Sequence, residues 1–593
     1  MDEHHPIILC GLNARYVHTN LALRDLAAYV QTHWPDAPAI RLAEWTINDQ
    51  PLAILRRLYS EQAFVYGFSC YIWNISQIRR ISHDLKKLCP QALIVWGGPE
   101  AASQASHWLT CEPAVDLIIR GEGEAAWLLL LQAIQTGQLA DVEKLSAIPN
   151  LSWRDPVSGQ IRENPAGPLL DPADWPFPYD EEHLAQLKDR IIYYETSRGC
   201  PFNCSYCLSS LDKSVRFRPL SQVFAELDLL MASGLQQVKL VDRTFNCQPD
   251  RAFKIWQYLI DHAAKAGLTN FHFEVAGDLI DDRTADLLAQ APPGLIQLEI
   301  GVQTIHPDVL RAINRPARLD RLAAQVKRLR AADNVHIHLD LIAGLPGEDL
   351  NRFAESLDWV FQLRPQQLQL GFLKVLPGSP MHDTARQRGY IWQNEPPYEI
   401  LRSDALDFSD LIHLKNVAWL LDVYLNSNFC DRAFNWLTGQ QERPWQVLSG
   451  LAAWTAGQGL LDRPLSPAGR CQLLWDYARH SQPELNGDNW LATAWRDLLR
   501  LDYQLSGQKD QPAWLNFPEN NDESENKQLL RRARDHFRQN LQQAGRLRIE
   551  RLCFDPRVWL ESGELRKGRW LLCLDLQPNR PAMLDNCRED DLY

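Results

Sequence analysis

The chain has 593 residues, 45% of them hydrophobic and 23% charged, and a formal net charge of −13 at pH 7. At roughly 100–200 residues per domain this length predicts three to five domains. The acidic balance excludes a polyanion binder as a whole, and no apolar run reaches the roughly 18–20 residues of a membrane span. The thirteen cysteines are odd in number and scattered apart from one cluster, which excludes a secreted disulfide framework and predicts a reducing, cytoplasmic setting. The acidic N-terminus, MDEHH, moves straight into a strand-like run without a signal-peptide pattern.

Taken in chain order, residues 1–142 alternate short β-rich runs (PIILCGLN, AFVYGFSC, ALIVWGG, VDLIIRG) with amphipathic stretches such as ISQIRRISHDLKKL. Such alternation predicts a Rossmann-like open parallel sheet covered on both faces, with its ligand edge at the carboxyl ends of the strands. Residues 143–185 read as a hairpin (NLSWRDPVSGQIRENP) followed by a Pro-rich linker (DPADWPFPYD). From 186 to 390 six strand candidates alternate with helices: IIYYETS, QVKLVDRTF, FHFEVAG, LIQLEIGV, VHIHLDLIAG and QLQLGFLKV. Six βα units are too few for a complete eight-unit barrel, so a partial (β/α)6 barrel is expected, its chemistry at the carboxyl ends of the strands. One of its helices, SQVFAELDLLMASG, is expected to start at Ser221 as N-cap and stop at Gly234. Residues 391–593 read as mostly helical and Trp-rich, closing with a strand pair at RLRIERLCFDP and GRWLLCLDL. The basic stretch KQLLRRARDHFRQN (527–540) reads as a solvated helix face.

TSRGCPFNCSYC places Cys200, Cys204 and Cys207 in a C-x3-C-x2-C pattern directly after the first barrel strand. Zinc needs four ligands, usually as two C-x2-C pairs, and no completing ligand lies nearby. The interleaved Gly, Pro, Asn and Ser describe a loop, not a core strand. Three thiolates hold a [4Fe–4S] cluster with one iron left open. The motif, with an aromatic before its last cysteine and at the top of the first strand of a partial barrel, resembles the radical S-adenosylmethionine (SAM) superfamily. That resemblance implies that the open iron binds SAM, which is reductively cleaved to a 5′-deoxyadenosyl radical. It assigns Cys200, Cys204 and Cys207 as cluster ligands and Tyr206 to the adenine. It also places Asp242 and Arg243 after the second strand, Glu299 and Gln303 on the fourth, and His338 and Asp340 on the fifth, with Gly344 and Gly347 beyond. Asp242, Glu299, Gln303 and Asp340 are expected to contact SAM, with ion pairing to nearby Arg and Lys as the other reading of the carboxylates.

In the N-terminal sheet, GFSCYIWN, VWGGPE and IIRGEGE end three successive strands with small residues, leaving a slot for a nucleotide tail and a flat ring. Together they resemble cobalamin-binding radical SAM proteins, with Ser69, Gly97 and Gly98 as cofactor positions. The D-x-H-x-x-G motif is absent, and His18 is the only histidine in the loop after the first strand. It is expected near the cofactor, as a hydrogen-bond partner ahead of a cobalt ligand. The order of domains resembles a subgroup with an uncharacterised helical C-terminal domain. The resemblance implies a cobalamin-dependent radical SAM methyltransferase acting on an unactivated carbon of an unknown substrate, fed by an electron donor such as flavodoxin or ferredoxin. Neither a membrane nor a nucleic-acid partner is expected. Two rivals are a methylthiotransferase with a second cluster, for which Cys10, Cys70, Cys89 and Cys111 are the candidate thiols, and a non-enzymatic cobalamin or redox sensor.

Overall fold

The computed structural model describes residues 6–588 except 440–442, 462, 488, 509–511, 516–522, 541–546 and 576–581. By compactness the chain divides into two units. The first comprises residues 1–353, 363–365 and 371–407; the second comprises 354–362, 366–370 and 408–593.

The first unit opens with β1 (Ile7–Asn13), β2 (Ile40–Thr46), β3 (Val65–Ser69), β4 (Leu93–Gly97) and β5 (Leu117–Ile119). They lie in the order β2-β1-β3-β4-β5, with every pairing parallel. This is a doubly wound order whose switch point falls between β1 and β3, where ligands bind such sheets. Alternate residues of β1 go to opposite layers, Ile8 and Leu12 packing with Ile78 and Trp96, and Ile7 and Leu9 with Trp127 and Leu130. Burial on both faces explains why the inner strands read as continuous apolar runs. The sequence reading missed β2. It is an edge strand with mostly half-buried residues, so it needs no apolar run. The expected hairpin is β6 (Leu151–Arg154) and β7 (Ile161–Glu163), and it extends this same sheet, β6 pairing antiparallel with β5.

The barrel sheet consists of β8 (Ile191–Tyr194), followed after a small ribbon of β9 (Ser197–Arg198) and β10 (Arg216–Phe217) by β11 (Gln237–Leu240), β12 (Asn270–Val275), β13 (Ile296–Gln303), β14 (His336–Ala343) and β15 (Gln367–Phe372). Spatial order follows chain order, β8-β11-β12-β13-β14-β15, as in an open arc of a (β/α)6 barrel. One face of the strands is apolar and sealed, with Ile192, Val238, Phe273, Leu298 and Leu339 all at 2% exposure or less. The other carries Tyr193, Lys239, His272, Glu274, Glu299 and His338. The helix Leu220–Ala232 has Pro219 at its N-cap with no side-chain cap, correcting the expectation at Ser221, which falls inside the first turn; Gly234 follows its end in the left-handed region at φ 68°. A short hairpin of β16 (Ile391–Trp392) and β17 (Ile400–Arg402) comes next.

The second unit is mainly helical over residues 408–505 and ends in β18 (Leu547–Phe554), β19 (Lys567–Asp575) and β20 (Ala582–Arg588). The expected pair is therefore an antiparallel three-stranded sheet. The basic stretch lies on the helix Glu523–Asn540, whose Leu529, Ala533 and Phe537 pack with Leu571 and Cys573 while Arg531, Arg532 and Arg534 face solvent. Residues 527 and 538–540 of that stretch have side chains outside the described residues.

Candidate functional site

The cysteine loop leaves the carboxyl end of β8. Its first residues are gripped by Asp242, which follows β11 and is 1% exposed. Asp242 accepts from the Thr196 amide at 3.0 Å, the Thr196 hydroxyl at 2.6 Å and the Ser197 hydroxyl at 2.5 Å. Burial pushes its carboxyl above the ordinary value, against those three donors. Both oxygens are thus committed to the loop that carries Cys200. The middle of the loop is pinned by its backbone, the Ser205 amide donating to Ile313 O at 3.0 Å and Ser205 O accepting from the Met381 amide at 2.8 Å. Cys200 and Cys204 are buried, and Cys207 and Tyr206 half-buried. Cys204 Sγ lies 3.5 Å from the Arg315 guanidinium. Three cysteines on one backbone-pinned loop are the ligand set of a [4Fe–4S] cluster with one open iron. The residues present therefore fit a three-thiolate cluster.

The barrel interior carries a chain of charges. Glu299 Oε2 lies 2.9 Å from His272 Nε2, 3.1 Å from Lys239 Nζ and 4.0 Å from His338 Nδ1, while His338 Nε2 is 3.0 Å from Asp340. Burial alone would raise the Glu299 carboxyl, but His272, Lys239 and His338 outweigh it and hold it down to about 2. Glu299, His338 and Asp340 offer ligand atoms within 4.8 Å of one another. Lys239 occupies the Glu299 side of this group, so it reads as an ion-pair network, not a cation site. Gln303 ends β13 at a register break, with φ 70°, and its Oε1 is buried without a hydrogen-bond partner. An orphaned buried acceptor at the top of a barrel strand fits a ligand that brings its own donor.

At the sheet edge, Asn20 donates to Ser69 Oγ at 3.0 Å while capping the helix Leu21–His33. Gly97 and Gly98 differ. A Cβ on Gly97 would find only Ile119 O, at 3.7 Å, and open space beyond. A Cβ on Gly98 would lie 2.7 Å from Cys70 O, and its φ of 95° is one that L residues rarely adopt. Gly97 thus keeps the slot open, whereas Gly98 lets two strand ends approach. The loop after β1 reaches the barrel: Ile191 N donates to Val17 O at 2.6 Å, Thr19 Oγ1 to Ile191 O at 2.9 Å, and His18 Nδ1 meets the Tyr193 hydroxyl at 2.6 Å. Burial, with Arg15 and Lys239 nearby, lowers the His18 pKa.

A cavity of about 940 Å³ lies between the sheet edge and the barrel; the cluster cysteines, Tyr206, Asp242, Glu299, Gln303 and Asp340 are not among its lining residues. Its walls include His18, Ser69, Gly97 and Gly98 from the sheet edge, and Tyr193, Lys239, Arg243 and Glu274 from the barrel. That volume is at the upper end of the roughly 300–1,000 Å³ of small-molecule sites. A slot walled by glycines and opening onto a polar barrel fits a large flat cofactor lying over the sheet edge. Several wall residues were not anticipated. Lys239 was detectable as a charge inside an apolar strand, QVKLV. Tyr71 and Trp73, stacked at 4.3 Å, sit in a loop, and Arg198, paired with Glu124 and Glu195 at 2.7 Å each, on the two-residue strand β9; neither place carries a periodic signal.

Fold and site define a protein with a cobalamin-type sheet set over a radical SAM barrel. Three family models match in that order: the B12 binding domain over residues 7–131, the Radical SAM superfamily over 194–360 and a protein family of unknown function (DUF4080) over 386–568. The chain is a cobalamin-binding-domain-containing radical SAM protein with a DUF4080 C-terminal region, and its cofactors are a [4Fe–4S] cluster, SAM and cobalamin. It is 25% identical over 355 residues to 2-(S-pantetheinyl)-carbapenam-3-carboxylate methyltransferase of Streptantibioticus cattleyicolor, covering 56% of this chain and 50% of that one. It is 26% identical over 346 residues to the cobalamin-dependent radical SAM methyltransferase TokK of Streptomyces tokunonensis, again covering 56% and 50%. The chain thus spans half the length of these curated relatives. Among solved structures, the cobalamin-dependent S-adenosylmethionine radical enzyme OxsB with aqua-cobalamin and S-adenosylmethionine bound shares the fold, with a TM-score of 0.57 at 15% identity over 84% of this chain and 79% of that one.

Proposed function

We propose that the chain is a cobalamin-dependent radical SAM enzyme that methylates an unactivated carbon of its substrate. The observation that carries this reading is a cavity walled by the sheet edge, by Leu208 and Leu211 just past the cysteine loop, and by the barrel's Tyr193, Lys239, Arg243 and Glu274, which would bring both cofactors to the same substrate. When bound, the cluster supplies an electron for cleavage of SAM, and cobalamin supplies the methyl group. The chain's own residues supply position. Cys200, Cys204 and Cys207 would hold the cluster, with Asp242 fixing the loop they stand on. Glu299, Gln303, Asp340 and Tyr206 would contact SAM. Ser69, Gly97 and Gly98 would border cobalamin, and His18, tethered to Tyr193, would sit at its edge. Lys239 and Glu274, on the cavity wall, would orient a polar part of the substrate.

The methylthiotransferase rival fits less well, because Cys10 and Cys70 are packed in the apolar core with Cys89 against it, and Cys111 is exposed. Among the described residues no helix is long and apolar enough to cross a membrane. A cytoplasmic setting and reduction by a flavodoxin or ferredoxin are part of the same proposal. Anaerobic incubation of reconstituted protein with SAM and reductant tests the reading. Release of 5′-deoxyadenosine is expected. Intact SAM, with cluster and cobalamin both loaded, would leave the sensor reading standing instead.

A further inference from the structure

Arg315 stands in the loop after the helix Pro307–Ala312, outside every motif that marks the site. Two residues earlier, Ile313 O accepts from the amide of Ser205, the neighbour of Cys204. The backbone therefore fixes this loop against the cysteine loop, and the guanidinium is set from there. Its Nη1 lies 3.5 Å from Cys204 Sγ, and its Nη2 donates to Gly301 O at 2.7 Å. Its Nε is buried with no hydrogen-bond partner, which leaves one more donor unused. No carboxylate is recorded within ion-pair distance of it among the described residues. Two further polar side chains stand beside the cysteines: Tyr206 next to Cys204, and Thr244, 3.8 Å from Cys200 Sγ, whose hydroxyl donates to Arg243 O at 2.8 Å.

We propose that Arg315 tunes the cluster: its guanidinium donates a charge-assisted hydrogen bond to the Cys204 thiolate and raises the reduction potential of the cluster which that thiolate holds. The proposal rests on the three-thiolate reading above. Reduction adds one electron, taken from the reductant, to the cluster and its thiolates, whose net charge becomes one unit more negative. A fixed cation at a ligand sulfur stabilises the more negative state, and hydrogen bonds to the sulfurs are a recognised lever on cluster potential. Arginine suits the place because it stays charged while losing most of its solvent and can reach a sulfur and a carbonyl together. Arg315 acts here through the cluster and is a positioning and tuning residue.

The test is a redox titration of the reconstituted full-length protein followed by electron paramagnetic resonance, with iron counted in every sample. Arg315→Gln should retain the cluster while its equilibrium constant for reduction falls about tenfold, equivalent to a potential about 59 mV more negative. Arg315→Lys should fall between the two. An unchanged potential in an Arg315→Gln protein that holds its full cluster overturns the proposal and leaves the three-thiolate reading intact. Wild-type protein that assembles no cluster overturns both, and the iron count reveals this before any potential is read. If Arg315→Gln does not assemble a cluster, wild-type protein labelled with [15N]arginine decides. Hyperfine coupling of a guanidinium nitrogen to the reduced cluster supports the proposal, and its absence overturns it.

Discussion

Asp242 and the cysteines can be separated by substitution. Cys200→Ala, Cys204→Ala and Cys207→Ala should each abolish the iron–sulfur absorption, since three thiolates are the minimum anchor. Cys247, on the separate turn Phe245–Cys247, should be dispensable. Asp242 was expected to contact SAM, yet its oxygens are taken by Thr196 and Ser197. Asp242→Ala would strand buried donors, each costing about 1–3 kcal/mol. We predict that it loosens the cluster, measured as faster iron loss to a chelator, as well as weakening SAM binding; normal iron retention would contradict this placement. The cysteines were legible because three thiols at that spacing have few physical uses. The job of Asp242 was not, because a carboxylate after a strand looks the same whether it binds a ligand or braces a loop.

At the scale of elements, strand ends decide the cobalamin slot. Gly97 and Gly98 look equivalent in the sequence, and only the backbone distinguishes them. Gly97→Trp should project into the cavity and abolish cobalamin uptake while the iron–sulfur signal survives. Gly98→Ala should instead destabilise the unit by about 1–3 kcal/mol, the order of strain for a residue forced into such backbone angles. A thermal melt and a cobalt count separate the two, and cobalt uptake unchanged in Gly97→Trp would count against the slot. Within the barrel, Glu299 supplies a pH test. His272, Lys239 and His338 hold its carboxyl down to about 2, below the ordinary 4.5, so its stabilisation is complete above 4.5 and is lost as the pH falls through about 2. Glu299→Gln should flatten that acid-range loss in a denaturation series, and an unaltered slope would contradict the network. The inner strands of the first sheet were readable because burial on two faces leaves a continuous hydrophobic run, and the barrel strands because apolar residues alternate with polar ones. β2 was not, since an edge strand half-exposed along its length carries no such signature. β20 was missed as well: its sequence, AMLDNCR, has no β-rich run, and it is a strand by virtue of pairing with β19.

Across the whole molecule, two α/β sheets in the first unit share one cavity, and the account stands or falls on what occupies it. Anaerobic reconstitution of the full chain with iron, sulfide and cobalamin, followed by metal counting on the desalted protein, is the most direct measurement. The account predicts about one cobalt and about four irons per chain, held together in one sample. About eight irons with no cobalt, or no cobalt uptake under any reconstitution condition, would contradict it.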